Sequence, residues 1–435
     1  MTQLTNCQKK GDSAFFKFLM GSASIFVLSG GAGVGKTFLM NHLSNNTMQR
    51  YEDACNLMGV SPEFVELAYT ATTNKAAEVL EASLGKPVET IHSYLGLKVV
   101  ENFKTGKTSI EKTDRWKVRK NRIVFIDESS MIDTPLYNII MESFENCKII
   151  FVGDHAQMSP VNESLSPIYQ NVDPDNFIFM HEAIRNAGSP PLMLLCEQLR
   201  NTVESGIFHP IKEVPGHIDY LTPAQMKEQI DITFAEETNE ARILCYTNSR
   251  VKDYNTYIRE MRNLPPEFVE GDHLVVARAY YKGNVFLAVE RQVEVMSVDP
   301  TIHEGGYANV FKDKQPIQYY NIRIKTNLHD NVEVSIPLHP QRLEYAIKAL
   351  AKQKQWSEYF TLKNAYIDLR NKDACTVYKS QGSTYEEVFI DLGNIGTSFD
   401  AEQVARMLFV GASRATTKIY LTGKLPGKYQ GREAA

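Results

Sequence analysis

The sequence predicts an α/β protein with two parallel sheets, a small hairpin inserted in the first half and an antiparallel module inserted in the second. Three observations carry this. Short apolar runs, too brief for helices, stop abruptly at glycine or polar residues; helical stretches separate them; and between residues 263 and 369 the texture changes to period-two alternation. A length of 435 residues also exceeds what one core ordinarily supports, so at least two domains are expected.

In chain order, the first runs lie at 25–28 before SGGAGVGKT, at 123–126 before DESS and at 149–152 before GDHAQMSPV. TNKAAEVLEASL, 73–84, reads as an intervening helix. Such alternation implies a parallel sheet whose ligands gather at the carboxyl ends of the strands. VVENFKTGKTSIEK, 99–112, reads as a hairpin turned at Thr105-Gly106-Lys107, with Phe103 at or near its tip. The strand plan returns at 243–246 before TNSR, 388–390 before DLGN and 419–421 before TGK. Between these, HLVVARAYY, QVEVMSV, YYNIRIKT and VEVSIPL alternate apolar and polar residues, and PQRLEYAIKALAKQKQWSEYFTLKNAYIDL reads as helix after Pro340.

A composition of 43% hydrophobic and 23% charged residues is that of an ordinary globular protein. MTQLTNCQKKGDSAFF lacks the features of a secretory signal, and no run approaches the roughly 20 apolar residues of a membrane helix, so a cytoplasmic protein without membrane contact is expected. The six cysteines form no CxxC pair and read as reduced thiols; the ten histidines show no zinc-like spacing. A net charge of −5 argues against a chain-wide electrostatic grip on nucleic acid, so any strand binding must be local. RWKVRKNR, 115–122, is the densest cationic cluster, readable as a binding patch or as a solvated approach to the next strand.

Gly30-Gly31-Ala32-Gly33-Val34-Gly35-Lys36-Thr37 matches GxxxxGK[ST] between a strand and a helix. Gly30, Gly33 and Gly35 let backbone N–H groups approach phosphates, Lys36 reaches the β and γ oxygens, and Thr37 ligates Mg²⁺. Magnesium needs a second hard oxygen, and IVFIDE supplies Asp127 at a strand end. Glu128 beside it can orient or deprotonate water, and Gln157 in GDHAQMSPV can sense the γ-phosphate. Together these residues indicate NTP hydrolysis. GTP is disfavoured, because NKDA at 371–374 has alanine where a guanine-reading aspartate is required.

These motifs, in order and over most of the chain, resemble those of superfamily 1 helicases of the RecD-like branch. LTNCQ resembles the Q motif, GGAGVGKT motif I, YTATTNKAA motif Ia, TIHS motif Ib, IDESSM motif II, GDHAQMSPV motif III, EAIRN motif IV, TVYKSQGST motif V and LFVGASRAT motif VI. The resemblance implies two RecA-like P-loop domains with ATP between them: a first domain over 1–185 carrying the hairpin within 95–117, a second over 186–262 and 370–435, and an SH3-like and helical insertion over 263–369. It implies ATP through Gln8, arginine fingers at Arg185 and Arg414, and a motif V turn in which Gly382 approaches the nucleotide. Strand contacts are implied for Thr72, Asn74, Thr90, His92, Pro160, Thr376 and Ser383, and a duplex-splitting role for Phe103. Motif V usually has histidine where Tyr378 stands, and motif VI has Gly411-Ala412 where bulkier residues are common.

The implied activity is an ATP-dependent DNA helicase moving 5′ to 3′, acting as a monomer on single-stranded DNA and forked duplex DNA in a cell or host cytoplasm. A single-strand-binding protein or other replication proteins are candidate partners. The alternatives are a nucleic-acid-stimulated ATPase that translocates or remodels without unwinding, and a binding module with a dead ATP site; intact Lys36, Thr37, Asp127 and Glu128 weigh against the last.

Overall fold

The computed structural model describes residues 4–431 except 32, 103–107, 161–162, 164, 183–188, 284 and 327–330. Three of the early apolar runs become neighbouring strands of a six-stranded parallel sheet. Its order is Phe177–Met180, Ile25–Gly30, Lys148–Gly153, Arg122–Asp127, Glu66–Ala71, Glu89–Thr90. Helices cover both faces, which is why the central strands read as continuous apolar runs rather than alternating ones. Phe26 and Phe125 enter one core and Val27, Val124 and Phe151 the other, all fully buried. Each buried phenylalanine contributes about 1.5–3 kcal/mol. The helix read at 73–84 forms as Asn74–Leu84, started by Thr73, whose hydroxyl accepts from Ala76 N–H, and ended at Gly85 with φ +64°.

A second parallel sheet has the order Ile218–Leu221, Ala415–Thr422, Tyr385–Asp391, Ala241–Cys245, Ala374–Thr376. Helix Ala401–Ala412 lies against it with every residue from Val404 to Ala412 buried, because helix Pro190–Ser205 covers its other side.

The alternating segments form an antiparallel sheet ordered Val332–Pro337, Gln318–Lys325, Gln292–Glu304, His273–Val276, Leu369–Asn371. The helical stretch after Pro340 is two helices rather than one, Pro340–Lys352 and Trp356–Ala365, interrupted where Lys354 adopts φ +57°. The chain returns to the second parallel sheet between Asn371 and Ala374. Arg259, on helix Asn248–Met261, fastens this junction: its guanidinium donates to Asp272 at 3.1 and 2.9 Å and to the carbonyls of Pro265 and Glu267.

Strands Leu97–Glu101 and Thr108–Lys112 pair antiparallel within the segment read as a hairpin; its turn and Phe103 lie outside the described residues. Asn364 of helix Trp356–Ala365 donates to Glu101 at 2.9 Å, joining hairpin to insertion. In the 115–122 cluster, Lys120 pairs with Glu145 and Arg122 with Glu66, while Arg119 donates to Tyr94 O. Those three cations serve the local fold. All six cysteines are unpaired thiols, and among the described residues no helix is long and apolar enough to cross a membrane.

Candidate nucleotide site and strand-binding face

Strand Ile25–Gly30 runs into the phosphate loop and helix Lys36–His42 leaves it. Gly33 and Gly35 hold φ +79° and +80°, which side-chain-bearing residues rarely adopt. At Gly30 the constraint is space: a Cβ would meet Met180 O at 2.7 Å. Lys36 donates to Gly30 O at 2.7 Å and Gly31 O at 2.9 Å, so its ammonium lies over the loop.

Asp127 ends its strand, and its carboxylate accepts from Glu128 N–H at 2.8 Å. Glu128 is left-handed, φ 52° and ψ 38°, an uncommon conformation for glutamate that turns the chain into the 3₁₀ turn Ser129–Met131. Burial, reinforced by Glu128 and opposed by Lys36, pushes the Asp127 carboxyl up to about 7. A buried acid beside a second acid and a threonine hydroxyl is a donor set for a hard divalent cation, whose charge would offset the desolvation. Thr37 and Asp127 thus fit magnesium.

These groups line one cavity of about 570 Å³ that both parallel sheets build. The first lobe brings Gln8, Gly33, Gly35, Lys36, Thr37, Asp127, Glu128 and Gln157; the second brings Gly382, Ser383 and Arg414. Arg414 is buried, with Nε on Val410 O at 3.1 Å, Nη1 on Ser383 O at 3.2 Å and Nη2 on Ser413 Oγ at 2.8 Å. Arg185 lies outside the described residues.

Gln8 is buried. Its carbonyl accepts from Thr5 N–H at 3.0 Å in a capping box that starts helix Asn6–Met20, while its amide nitrogen has no partner within the described residues. One end of the amide is committed to the helix, which leaves the donor end for the cavity.

The residues implied for strand contact divide. Thr72 donates its hydroxyl to Glu128 O at 3.0 Å and its N–H to Asp127 O at 3.2 Å, joining this segment to the acid pair. Asn74 begins helix Asn74–Leu84, and Thr90 caps helix Ile91–Leu95 by accepting from Ser93 N–H at 3.1 Å. Burial holds the His92 imidazole below its ordinary value, against the pull of Asp133. Pro160 is buried. Ser383 lines the nucleotide cavity beside Gly382, where φ +75° turns the backbone. Thr376 accepts from Lys379 N–H and lines a second, smaller cleft.

That cleft lies where the first lobe, the second lobe and the insertion meet. Lys75, Arg242, Arg370, Lys372 and Lys379 line it with the acid Glu290; Lys379 pairs with Glu290 at 3.1 Å, Arg370 with Asp368 at 3.1 Å and Lys372 with Glu237 at 3.4 Å. Burial lowers the Lys75 ammonium below the usual lysine range, with Glu290 opposing. None of these five was singled out by the sequence reading. Lys75 and Lys379 stand inside motifs already recognised, whereas Arg242 and Arg370 lie in short strands, and Lys372 just after one, whose convergence only the fold reveals. Tyr378, where histidine is usual, accepts from Gln403 Nε2 at 2.7 Å.

A phosphate loop and acid pair on one parallel sheet, completed by an arginine from a second, define the RecA-like, two-lobed class of P-loop proteins. A domain family described as "AAA domain" matches residues 6–175, and one described as "UvrD-like helicase C-terminal domain" matches 373–422. The chain is 22% identical to the ATP-dependent DNA helicase dda of Enterobacteria phage T4, over 96% of this chain and 98% of that one. It is 29% identical to the RecBCD enzyme subunit RecD of Buchnera aphidicola over 32% of this chain and 24% of the other. A Pif1 helicase from Bacteroides, solved with ADP-AlF3 and ssDNA, shares the fold at TM-score 0.52 and 12% identity, covering 100% of this chain and 95% of that one. These comparisons make the chain similar to helicases of the Pif1/RecD-like branch of superfamily 1.

Proposed function

We propose that this protein is an ATP-dependent DNA helicase that moves 5′ to 3′ along single-stranded DNA and separates duplex ahead of it. The observation that carries the reading is the shared cavity, where Lys36, Asp127 and Glu128 from one lobe face Arg414 from the other. The T4 relative named an ATP-dependent DNA helicase, matched end to end, supports the substrate assignment.

In this mechanism the loop N–H groups and Lys36 hold the triphosphate, while Glu128 orients the attacking water. Thr37 and Asp127 would hold magnesium, which would supply charge neutralisation at the phosphates. Gln157 and Arg414 meet the γ-phosphate; an arginine so placed is worth about 10³–10⁵ in rate. Arg185 takes the second arginine role. Because the pocket is complete only when both lobes contribute, nucleotide binding favours their approach and product release their separation. Unequal grip on the strand by Thr72, Asn74, Thr90 and His92 on one lobe and Thr376 on the other then gives net movement. The hairpin around Phe103 parts the duplex.

Duplexes with a 5′ or a 3′ single-stranded tail, incubated with ATP and magnesium, test this. Strand separation only with the 5′ tail is expected. Separation only with the 3′ tail overturns the direction, and strand-stimulated hydrolysis without separation on either substrate establishes a translocase in place of a helicase.

A further inference from the structure

The loop that carries Gln157 leaves the first sheet at Gly153 yet is packed into the second lobe. Ala156 and Met158 are buried in the same core as Leu195, Leu199, Val404 and Met407, all second-lobe residues. Gln157, between them, faces the nucleotide cavity. Two arginines hold the loop from behind. Arg406, on helix Ala401–Ala412, donates Nη1 to His155 O at 2.7 Å and to Gln157 O at 2.6 Å, its own orientation fixed by Glu402 one turn earlier at 2.8 and 3.1 Å. Arg200, on helix Pro190–Ser205, pairs with the fully buried Asp154 carboxylate, and Glu204 on that helix meets His155 Nε2 at 3.3 Å. Towards the first lobe, His155 meets Ser29 Oγ through Nδ1 at 3.0 Å and rests its ring against Tyr169 and Phe179, so that lobe holds the start of the loop and the second lobe holds 156–158.

We infer that Arg406 is a positioning residue for hydrolysis, with Arg200 in support: it makes segment 156–158 a moving part of the second lobe, so that lobe sets where the Gln157 amide stands over the γ-phosphate. This rests on the nucleotide-hydrolysis reading above. Its chemistry is simple. Backbone carbonyls at 155 and 157 point to one side of the loop, two apolar side chains lock the register, and the alternate side chain is left to face the nucleotide. A shift of the second lobe carries Gln157 with it through groups that touch no substrate. The lysine of the phosphate loop, in contrast, is held by first-lobe carbonyls alone, so the grip on the phosphates and the placement of Gln157 answer to different lobes.

Arg406→Met and Arg406→Lys, with Met158→Ala as a variant that weakens the loop's apolar anchor without changing charge, separate this from simple structural support. With single-stranded DNA present, Arg406→Met and Met158→Ala are expected to lower kcat by about 10²-fold, the cost of a misplaced catalytic group, while KM for ATP and affinity for a fluorescent ADP stay within about 2-fold. Arg406→Lys restores part of kcat, since an ammonium can reach one carbonyl but not both. Hydrogen exchange at the amides of 154–158 rises in Arg406→Met and stays unchanged in Lys36→Ala. A kcat equal to wild type in both Arg406→Met and Met158→Ala, or a matching loss of ADP affinity, overturns the inference. Should the wild-type protein show no strand-stimulated hydrolysis, the helicase reading fails, and the exchange measurement still decides whether Arg406 holds the loop.

Discussion

Asp127, Glu128 and Lys36 crowd two carboxyls and one ammonium into the base of a cavity, and the imbalance has measurable consequences. The Asp127 carboxyl is raised from 3.8 to about 7, chiefly by burial and then by Glu128. Between those values the folded protein binds a proton that the unfolded chain has released, so stability falls as pH climbs through that window. Without magnesium, Asp127→Asn should melt above wild type at about pH 8, the gap closing towards pH 4; magnesium should raise the melting temperature of wild type alone. A scanning-fluorimetry series across pH checks both signs. Lys36→Ala removes the charge that meets the phosphates without disturbing the strand beneath it. It should abolish strand-stimulated ATPase, by about 10²-fold or more, while circular dichroism and melting stay near wild type. Persistent strand separation in that variant would refute the motor assignment.

Elements differ in how plainly the sequence announces them, and the reason is burial. Strands covered on both faces, such as Ile25–Gly30 and Lys148–Gly153, read as uninterrupted apolar runs ending in motif residues. Glu66–Ala71 does not: its first residue is exposed and the next two half-buried, so ELAYTA lacks the run. Phe177–Met180 and Ala374–Thr376 are short edge strands whose pairing decides them. At the site, the phosphate loop and acid pair are legible because their spacing is dictated by one ligand, whereas the cleft around Lys75 draws on five separated segments, at 75, 242–251, 275, 290–292 and 370–385. Two element-scale predictions follow from contacts rather than motifs. Arg259→Met leaves the Asp272 carboxylate buried without its cation and should cost about 3–5 kcal/mol in urea unfolding. Replacing 99–110 by a short glycine-serine turn removes the hairpin and its tie from Asn364; unwinding of a fork should be lost while single-strand-stimulated ATPase persists. Unwinding retained by that variant would move the wedge elsewhere.

Across the whole molecule, net charge and local charge oppose one another: the chain carries −5, yet its inter-lobe cleft gathers five cations. Affinity for a strand should therefore be strongly salt-dependent despite the acidic total, and Lys75→Ala should flatten the log–log salt slope for single-stranded DNA by about 0.7, the loss of one phosphate contact. An unchanged slope in fluorescence anisotropy would place the strand away from this cleft. The order of the second parallel sheet bears on how the chain becomes a protein at all. Ile218–Leu221 and Ala241–Cys245 are made early but never touch, because Tyr385–Asp391 and Ala415–Thr422 occupy the two positions between them. On the ribosome these two ribbons must wait, unpaired and sticky, through more than a hundred further codons while the intervening antiparallel module takes shape. A nonsense codon shortly before 415 would then leave Ile218–Leu221 with no strand to join, an unzipped edge exposed to proteolysis.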